Sequence, residues 1–289
     1  MASAAPIFVG GMYKSGTSLL RLMITQHRNI AGGLETYWFE VDPVKGIGRG
    51  GEPIGPYIER LAAYFGMPVA DVRLATANCP NAEAFVDRLM TAVAKISGKP
   101  RWAEKTPGNI AHTGRIVRYW PDARIVHIVR DPRDVYASLR EAKKWDNAEA
   151  FGSRWCAKFA GNEEGLRNGD LRGDNYYEVR YEALVLHPER TMRPMIAFLG
   201  EPWDSACAQF SGRDDEYEIV RAQTGKASST LARLRSPLSD SRVGLWTKVP
   251  ARELQAVRDY VGSQGLGARY DRIVGETETA VGSSTPAAQ

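Results

Sequence analysis

The segment Lys14-Ser15-Gly16-Thr17-Ser18 follows a short apolar run, Ile7 to Val9, and precedes Leu19, Leu20, Leu22 and Met23. That order predicts a buried strand, a tight turn through Gly10, Gly11 and Gly16, and a helix whose first N–H groups and dipole face whatever the turn encloses. From Gly11 the spacing fits G-x-x-x-x-G, but Thr17 stands where a lysine usually follows the second glycine. The cation has moved inside the loop, to Lys14. Such a loop suits a phosphate-like anion and is poorly built for a magnesium-bound γ-phosphate. The plain alternative is a strand-to-helix turn with no ligand.

A second anion site is expected at the end of Arg124-Ile125-Val126-His127-Ile128-Val129-Arg130. The apolar run reads as a buried strand, and Arg130 at its end carries a permanent charge that needs an anionic partner. Ser138, eight residues on, falls on the next helix and adds a hydroxyl. A structural ion pair of Arg130 with Asp131 or Asp134 is the competing account.

The elements that must hold these residues alternate. Strands are expected around Ile7–Val9, within Asn29–Thr36, at Arg101–Pro107, Arg124–Arg130 and Asn175–Tyr181. Helices are expected at Pro56–Phe65, Val69–Leu74, Ala82–Ile96, Ile110–Trp120, from Pro132 through Leu139, 147–168, Pro188–Leu199 and Ala251–Leu266. The economical architecture is α/β: a parallel sheet flanked by helices on both faces, with ligands outside the carboxyl ends of the strands. Residues 1–274 read as one domain, with 41–97 a helical insertion that could line an acceptor cleft through Tyr37, Trp38, Phe39, Tyr57, Tyr64, Phe65 and Phe85. Trp145, Trp155 and Phe159 offer another wall, with core packing as the alternative for all of these aromatics. Residues 212–248 show little periodicity, and 275–289 read as a disordered tail.

Composition narrows the class. The 289 residues are 43% hydrophobic and 25% charged, with a net charge of +4, which gives no reason to expect a nucleic-acid partner. Cys79, Cys156 and Cys207 are odd in number and form no C-x-x-C pair, so neither a disulfide framework nor a metal site is expected. No apolar run reaches the roughly 18 residues of a membrane helix, and the first strand begins too early for a secretory leader. A cytoplasmic, soluble protein is the expectation; its oligomeric state is not legible.

Taken together, the two motifs resemble those of sulfotransferases that use 3′-phosphoadenosine 5′-phosphosulfate. Lys14, Ser15, Gly16, Thr17 and Ser18 resemble the 5′-phosphosulfate loop; Arg130 and Ser138 resemble the 3′-phosphate site. The segment Val179 to Arg190, followed by Phe198-Leu199-Gly200, resembles the tyrosylprotein sulfotransferase subgroup and its bacterial relatives. By that resemblance Tyr181 lies near the adenine end, with an aromatic core anchor as the alternative. Ser241-Arg242-Val243-Gly244-Leu245-Trp246 resembles the loop that closes over the 3′-phosphate, which adds Ser236 and Arg242. A solvated basic loop is the competing account of Arg233, Arg235 and Arg242.

The resemblance also implies chemistry. Sulfuryl transfer builds charge on a bridging phosphate oxygen, so it needs a cation there and a base at the acceptor. Lys14 and Lys105, the latter in Glu104-Lys105-Thr106-Pro107, take the cationic roles. Glu35 takes the base role, with Glu40 as its neighbouring substitute. The product would be adenosine 3′,5′-bisphosphate, and no metal is implied. The arginine that follows the glutamate in tyrosylprotein enzymes has no match, because Tyr37 and Trp38 occupy that stretch. A small-molecule or saccharide hydroxyl is therefore favoured over a tyrosine peptide. Cytosolic sulfotransferases carry a histidine base where this chain has Pro107, and His112 reads as a surface or capping residue. A kinase of related fold and a catalytically silent nucleotide-binding module remain as alternatives.

Overall fold

Ile7, Phe8 and Val9 are fully buried, with Phe8 facing one side of the sheet and Ile7 and Val9 the other. This two-sided burial is what a central parallel strand requires. The strands are β1 (Ile7–Gly11), β2 (Ile30–Gly32), β3 (Arg101–Lys105), β4 (Arg124–Val129) and β5 (Tyr176–Arg180). In the computed structural model, which describes residues 5–144, 147–225 and 229–282, they form one sheet in the order β2-β3-β1-β4-β5, every pair parallel.

Helices make the crossovers that parallel neighbours need. They are α1 (Thr17–Thr25), α2 (Ile54–Phe65), α3 (Val69–Ala75), α4 (Ala82–Ile96), α5 (Thr113–Tyr119), α6 (Pro132–Glu141) and α7 (Ala148–Asn168). Beyond β5 come α8 (Tyr181–Leu186), α9 (Pro188–Phe198), α10 (Asp215–Thr224), α11 (Ser229–Arg233), α12 (Ala251–Ser263) and α13 (Gly267–Gly282). The α/β class and the parallel sheet agree with the sequence expectation. Because the chain builds outward from β1 in both directions, a crevice opens at the carboxyl ends of β1, β3 and β4.

Phe8, Trp38, Tyr57, Phe85, Trp102 and Trp120 pack one face against α2 and α4, and all but Trp102 and Trp120 are at most 1% exposed. Trp38, Tyr57 and Phe85 are thus packing residues and not an acceptor wall. Trp155 and Phe159 likewise stack on each other in a third core cluster, with ring centroids 4.0 Å apart. Trp145 lies outside the described residues.

Four expectations need correction. Residues 212–248 hold two short helices, α10 and α11, whose weak periodicity reflects partial burial. The expected helix over Ile110–Trp120 divides at His112 into a 3₁₀ turn (Pro107–Ala111) and α5. Ile96, expected on the buried face of α4, is exposed. The expected last helix stops at Ser263, and α13 carries regular structure to Gly282, through the start of the segment read as disordered. Tyr270, Ile273 and Thr277 of α13 are buried, and Arg180 donates to the Ile273 carbonyl at 2.9 Å. Residues 283–289 of that segment lie outside the described residues.

A buried ion pair ties α10 to α1. Arg21 on α1 donates two parallel hydrogen bonds to Glu216 on α10, at 2.5 and 2.6 Å, with the Arg21 side chain 2% exposed. Removing one partner leaves a buried charge, which costs about 3–5 kcal/mol, whereas replacing both by apolar groups is far milder. In urea unfolding, Glu216→Ala is expected to lose stability in that range and Arg21→Met/Glu216→Leu much less; equal losses would show that the pair is not electrostatically coupled.

Candidate active site

Strand register brings the chemistry to one edge. Val9 pairs with Lys105, Gly11 with Ile128 and Gly32 with Ala103. Lys105, the loop after β1, Arg130 just past β4 and Glu35 just past β2 therefore all emerge at the carboxyl end of the sheet.

The loop turns on two left-handed residues, Lys14 (φ 68°) and Gly16 (φ 94°). A Cβ on Gly16 would lie 2.5 Å from a ring carbon of Tyr181, so only glycine fits. Lys14 holds this conformation without that freedom, at a cost on the order of 1–3 kcal/mol. No side chain caps the start of α1, whose first N–H groups are left for an anion. Ser15, Thr17 and Ser18 are buried. Lys14 Nζ donates to Ser229 Oγ at 3.2 Å and Thr230 Oγ1 at 3.1 Å on α11. Burial, with the charges of Arg233, Lys144 and Arg242, pulls its pKa down to about 8.

Arg130 sits beside this loop. Its Nη1 donates to the Lys14 carbonyl at 2.7 Å and reaches Ser138 Oγ at 3.5 Å, and its Nη2 donates to the Arg242 carbonyl. The guanidinium lies 4.6 Å from the Tyr181 ring centroid. Arg130 Nε is buried with no partner among the described residues. An Asp134 oxygen lies 3.7 Å from Nη2, so the alternative ion pair is present, yet Asp134 is chiefly engaged elsewhere. It accepts from the Gly244 and Trp246 N–H groups, both at 2.9 Å, and pins the 242–246 loop to α6. Arg242 Nη2 in turn donates to Ser138 Oγ at 2.8 Å and Glu141 Oε2 at 2.5 Å.

These groups surround a cavity of about 290 Å³. Of the expected nucleotide-site residues, Lys14, Gly16, Arg130, Ser138, Tyr181, Ser236 and Arg242 line it, and Ser15, Thr17 and Ser18 do not. Phe210, Thr230, Arg233, Leu234, Pro237 and Leu238 are among the other residues that line it. Sequence reasoning missed these residues, apart from Arg233, which it named only with a solvated basic loop as the competing account. The density of Arg and Ser in 229–242 was the only signal.

On the other side of the loop, Lys105 is buried. Its Nζ donates to Glu35 Oε1 at 2.6 Å and to Ser18 Oγ at 3.1 Å. The second Glu35 oxygen accepts from the Tyr37 hydroxyl. Burial pushes the Glu35 carboxyl up, but the Lys105 charge, hydrogen bonds from Lys105 and Tyr37, and the Arg49 charge together hold it below the usual carboxylate range. Arg49 comes from the irregular stretch before α2 and lies 3.4 Å above the Tyr37 ring centroid. No linear spacing could have placed it there. Glu40 is exposed and accepts from the Gly50 N–H at 3.1 Å. His112 stacks on Phe39 at 4.2 Å, and burial lowers its pKa to about 4.

Among the described residues no group of three or more His, Cys, Asp or Glu is arranged to hold a metal ion, and no helix is long and apolar enough to cross a membrane. The three cysteines are free and buried.

Comparison with known proteins gives one consistent result. Residues 6–205 match the profile of the Sulfotransferase family. A protein-tyrosine sulfotransferase of Drosophila melanogaster is 27% identical over 211 residues, 69% of this chain and 39% of the relative. Protein-tyrosine sulfotransferase 1 of Danio rerio is 27% identical over 218 residues, 69% of this chain and 54% of the relative. The chain thus spans about half or less of the length of these relatives. The sulfotransferase domain of the Synechococcus PCC 7002 olefin synthase superposes with a TM-score of 0.58 at 18% identity, covering 91% of this chain and 96% of that one. That likeness is one of fold.

The Glu35–Lys105 pair makes a direct prediction. In Lys105→Met the burial that opposes ionisation loses its main counterweight, so Glu35 is expected to titrate at higher pH than in the wild type, read by carboxyl ¹³C NMR with Glu35→Gln for assignment. An unchanged midpoint would mean that Lys105 does not set the charge of Glu35.

Proposed function

The chain belongs to the Sulfotransferase family, and from that premise we propose that it moves a sulfuryl group from 3′-phosphoadenosine 5′-phosphosulfate to an acceptor hydroxyl, leaving adenosine 3′,5′-bisphosphate. The observation that carries this reading is a single cavity with separate anion-binding groups: Lys14 and the uncapped start of α1, and Arg130 with Ser138 and Arg242. The residues fit such a donor. Arg130 Nε is buried without a partner among the described residues, and Leu19, Phe210, Leu234, Pro237 and Leu238 supply apolar walls suited to a nucleobase.

When bound, the donor brings the sulfuryl group and a phosphate leaving group. The protein's part is electrostatic and positional. Lys14 and the first-turn N–H groups of α1 neutralise charge at the phosphate, and Lys105 neutralises it at the sulfuryl oxygens. Glu35 takes the acceptor's proton. A carboxylate held low by a lysine is a weak base in the resting site. As Lys105 turns its charge toward incoming sulfuryl oxygens, the burial that opposes ionisation of Glu35 is felt more strongly and its proton affinity rises.

The acceptor would approach Glu35 from the side bounded by Tyr13, Tyr37, Tyr64 and Arg49. Burial and the Glu35 charge keep the Tyr13 hydroxyl protonated, and burial does the same for Tyr64. Aromatic faces with hydroxyl donors suit a small phenol or a saccharide. With ³⁵S-labelled donor and no added metal, label is expected on a phenol or sugar, with tyrosine peptides as the comparison arm. Glu35→Gln is expected to lower kcat by about 10²–10⁴-fold. Phosphate transfer from ATP–magnesium would move the assignment to a kinase, and nucleotide binding without any transfer to a silent module.

A further inference from the structure

Glu104 precedes Lys105 on β3, so the two side chains leave opposite faces of the strand. Lys105 meets Ser18 and Glu35. Glu104 is 1% exposed, and among the described residues no cation pairs with it. Its carboxylate instead accepts four hydrogen bonds: from the Thr36 hydroxyl at 2.8 Å, the Thr36 N–H at 3.3 Å, the Thr106 hydroxyl at 2.7 Å and Asn109 Nδ2 at 2.6 Å. Thr36 is the residue after Glu35, and Thr106 is the residue after Lys105.

The network continues outward with every partner in a fixed role. Thr106 Oγ1 accepts from the Tyr37 N–H at 3.1 Å, and Thr36 Oγ1 accepts from the Trp38 N–H at 3.3 Å. Each threonine hydroxyl therefore has its single proton left for Glu104. Asn109 Oδ1 accepts from Trp38 Nε1 at 2.9 Å, Asn109 Nδ2 also donates to the Val9 carbonyl at 3.1 Å, and the Tyr57 hydroxyl donates to the Thr36 carbonyl. Four donors converge on one acceptor, the arrangement an ionised carboxylate satisfies. Burying that charge without a cation costs several kcal/mol, which the four converging donors offset.

We infer that Glu104 is a positioning residue: by accepting from Thr36 and Thr106 at once, its carboxylate ties the loop after β2 to the end of β3 and so holds Glu35 and Lys105 in contact. The inference rests on the roles proposed for that pair. The groups that face Glu35 are Lys105 from β3, Tyr37 from its own loop, Arg49 from the stretch before α2, Tyr64 from α2 and Tyr13 from the loop after β1. Glu104 acts on it through the backbone that it ties down.

The test compares Glu104→Gln, Thr36→Val and Thr106→Val with the wild type in kcat, acceptor KM, the carboxyl ¹³C titration of Glu35 and Tm. Glu104→Gln turns one acceptor into a donor among donors. It is expected to lower kcat by about 100-fold, the cost of a misplacement near 1 Å, with acceptor KM little changed. In all three variants Glu35, no longer held on Lys105, is expected to titrate at higher pH than in the wild type. The valine variants change no charge, so they separate loss of position from loss of the Glu104 charge, and they carry the test if Glu104→Gln does not fold. Wild-type kcat and a wild-type Glu35 titration in the folded variants, whatever their Tm, would overturn the inference and leave Glu104 a stability residue. If the wild type transfers no sulfuryl group, the functional reading fails by itself, and the Glu35 titration still decides whether Glu104 holds the pair.

Discussion

Positive charge is crowded at the carboxyl end of the sheet, and the site is organised around that excess. Lys14, Arg130, Arg233 and Arg242 line one cavity, and burial with neighbouring cations pulls Lys14 down to a pKa of about 8. Like charges in a half-buried space repel and are held together only by the surrounding structure. Asp134 contributes by gripping the 242–246 backbone, and Ser229 and Thr230 by receiving Lys14. An anion in the cavity would relieve the repulsion, which gives the cavity its selectivity before any base-specific contact is considered.

The second half of the site has the opposite balance. Glu35 and Lys105 neutralise each other, and Lys105 links them to the first turn of α1 through Ser18. A pair poised in this way changes state when a new charge arrives on either side. That coupling joins the anion cavity to the place where an acceptor proton would be taken. The polar network behind it is fully hydrogen-bonded around Glu104. Such networks are rigid when every member is satisfied, which is what positioning to a fraction of an ångström requires.

Much of this was legible in the residues. Alternation of apolar runs with helical patterns gave the parallel sheet, and the glycine spacing from Gly11 to Gly16 with Lys14 inside it marked the tight turn between β1 and α1. Arg130 stood out because a permanent charge at the end of a buried strand needs a partner. Ser236 and Arg242 were reached only through the family resemblance, and Thr230 and Leu234 escaped because they act from an irregular wall whose link to the loop after β1, Thr230 to Lys14, is long-range. Arg49 escaped for the same reason, since its partner Tyr37 is reached by chain folding and not by periodicity. The last turns of α13 were misread because Gly and Thr dilute their pattern, while burial of Ile273 and Thr277 supplies what propensity lacks.

The central claim is that one cavity recognises two separate anionic groups of a nucleotide. Calorimetric titration without metal, comparing adenosine 3′,5′-bisphosphate with adenosine 5′-monophosphate in the wild type and in Arg130→Ala, tests it most directly. The account predicts that the 3′-phosphate strengthens binding to the wild type and that Arg130→Ala abolishes most of this gain while retaining binding of the 5′-monophosphate. Equal affinities for the two nucleotides in the wild type, or a gain that survives in Arg130→Ala, would contradict it.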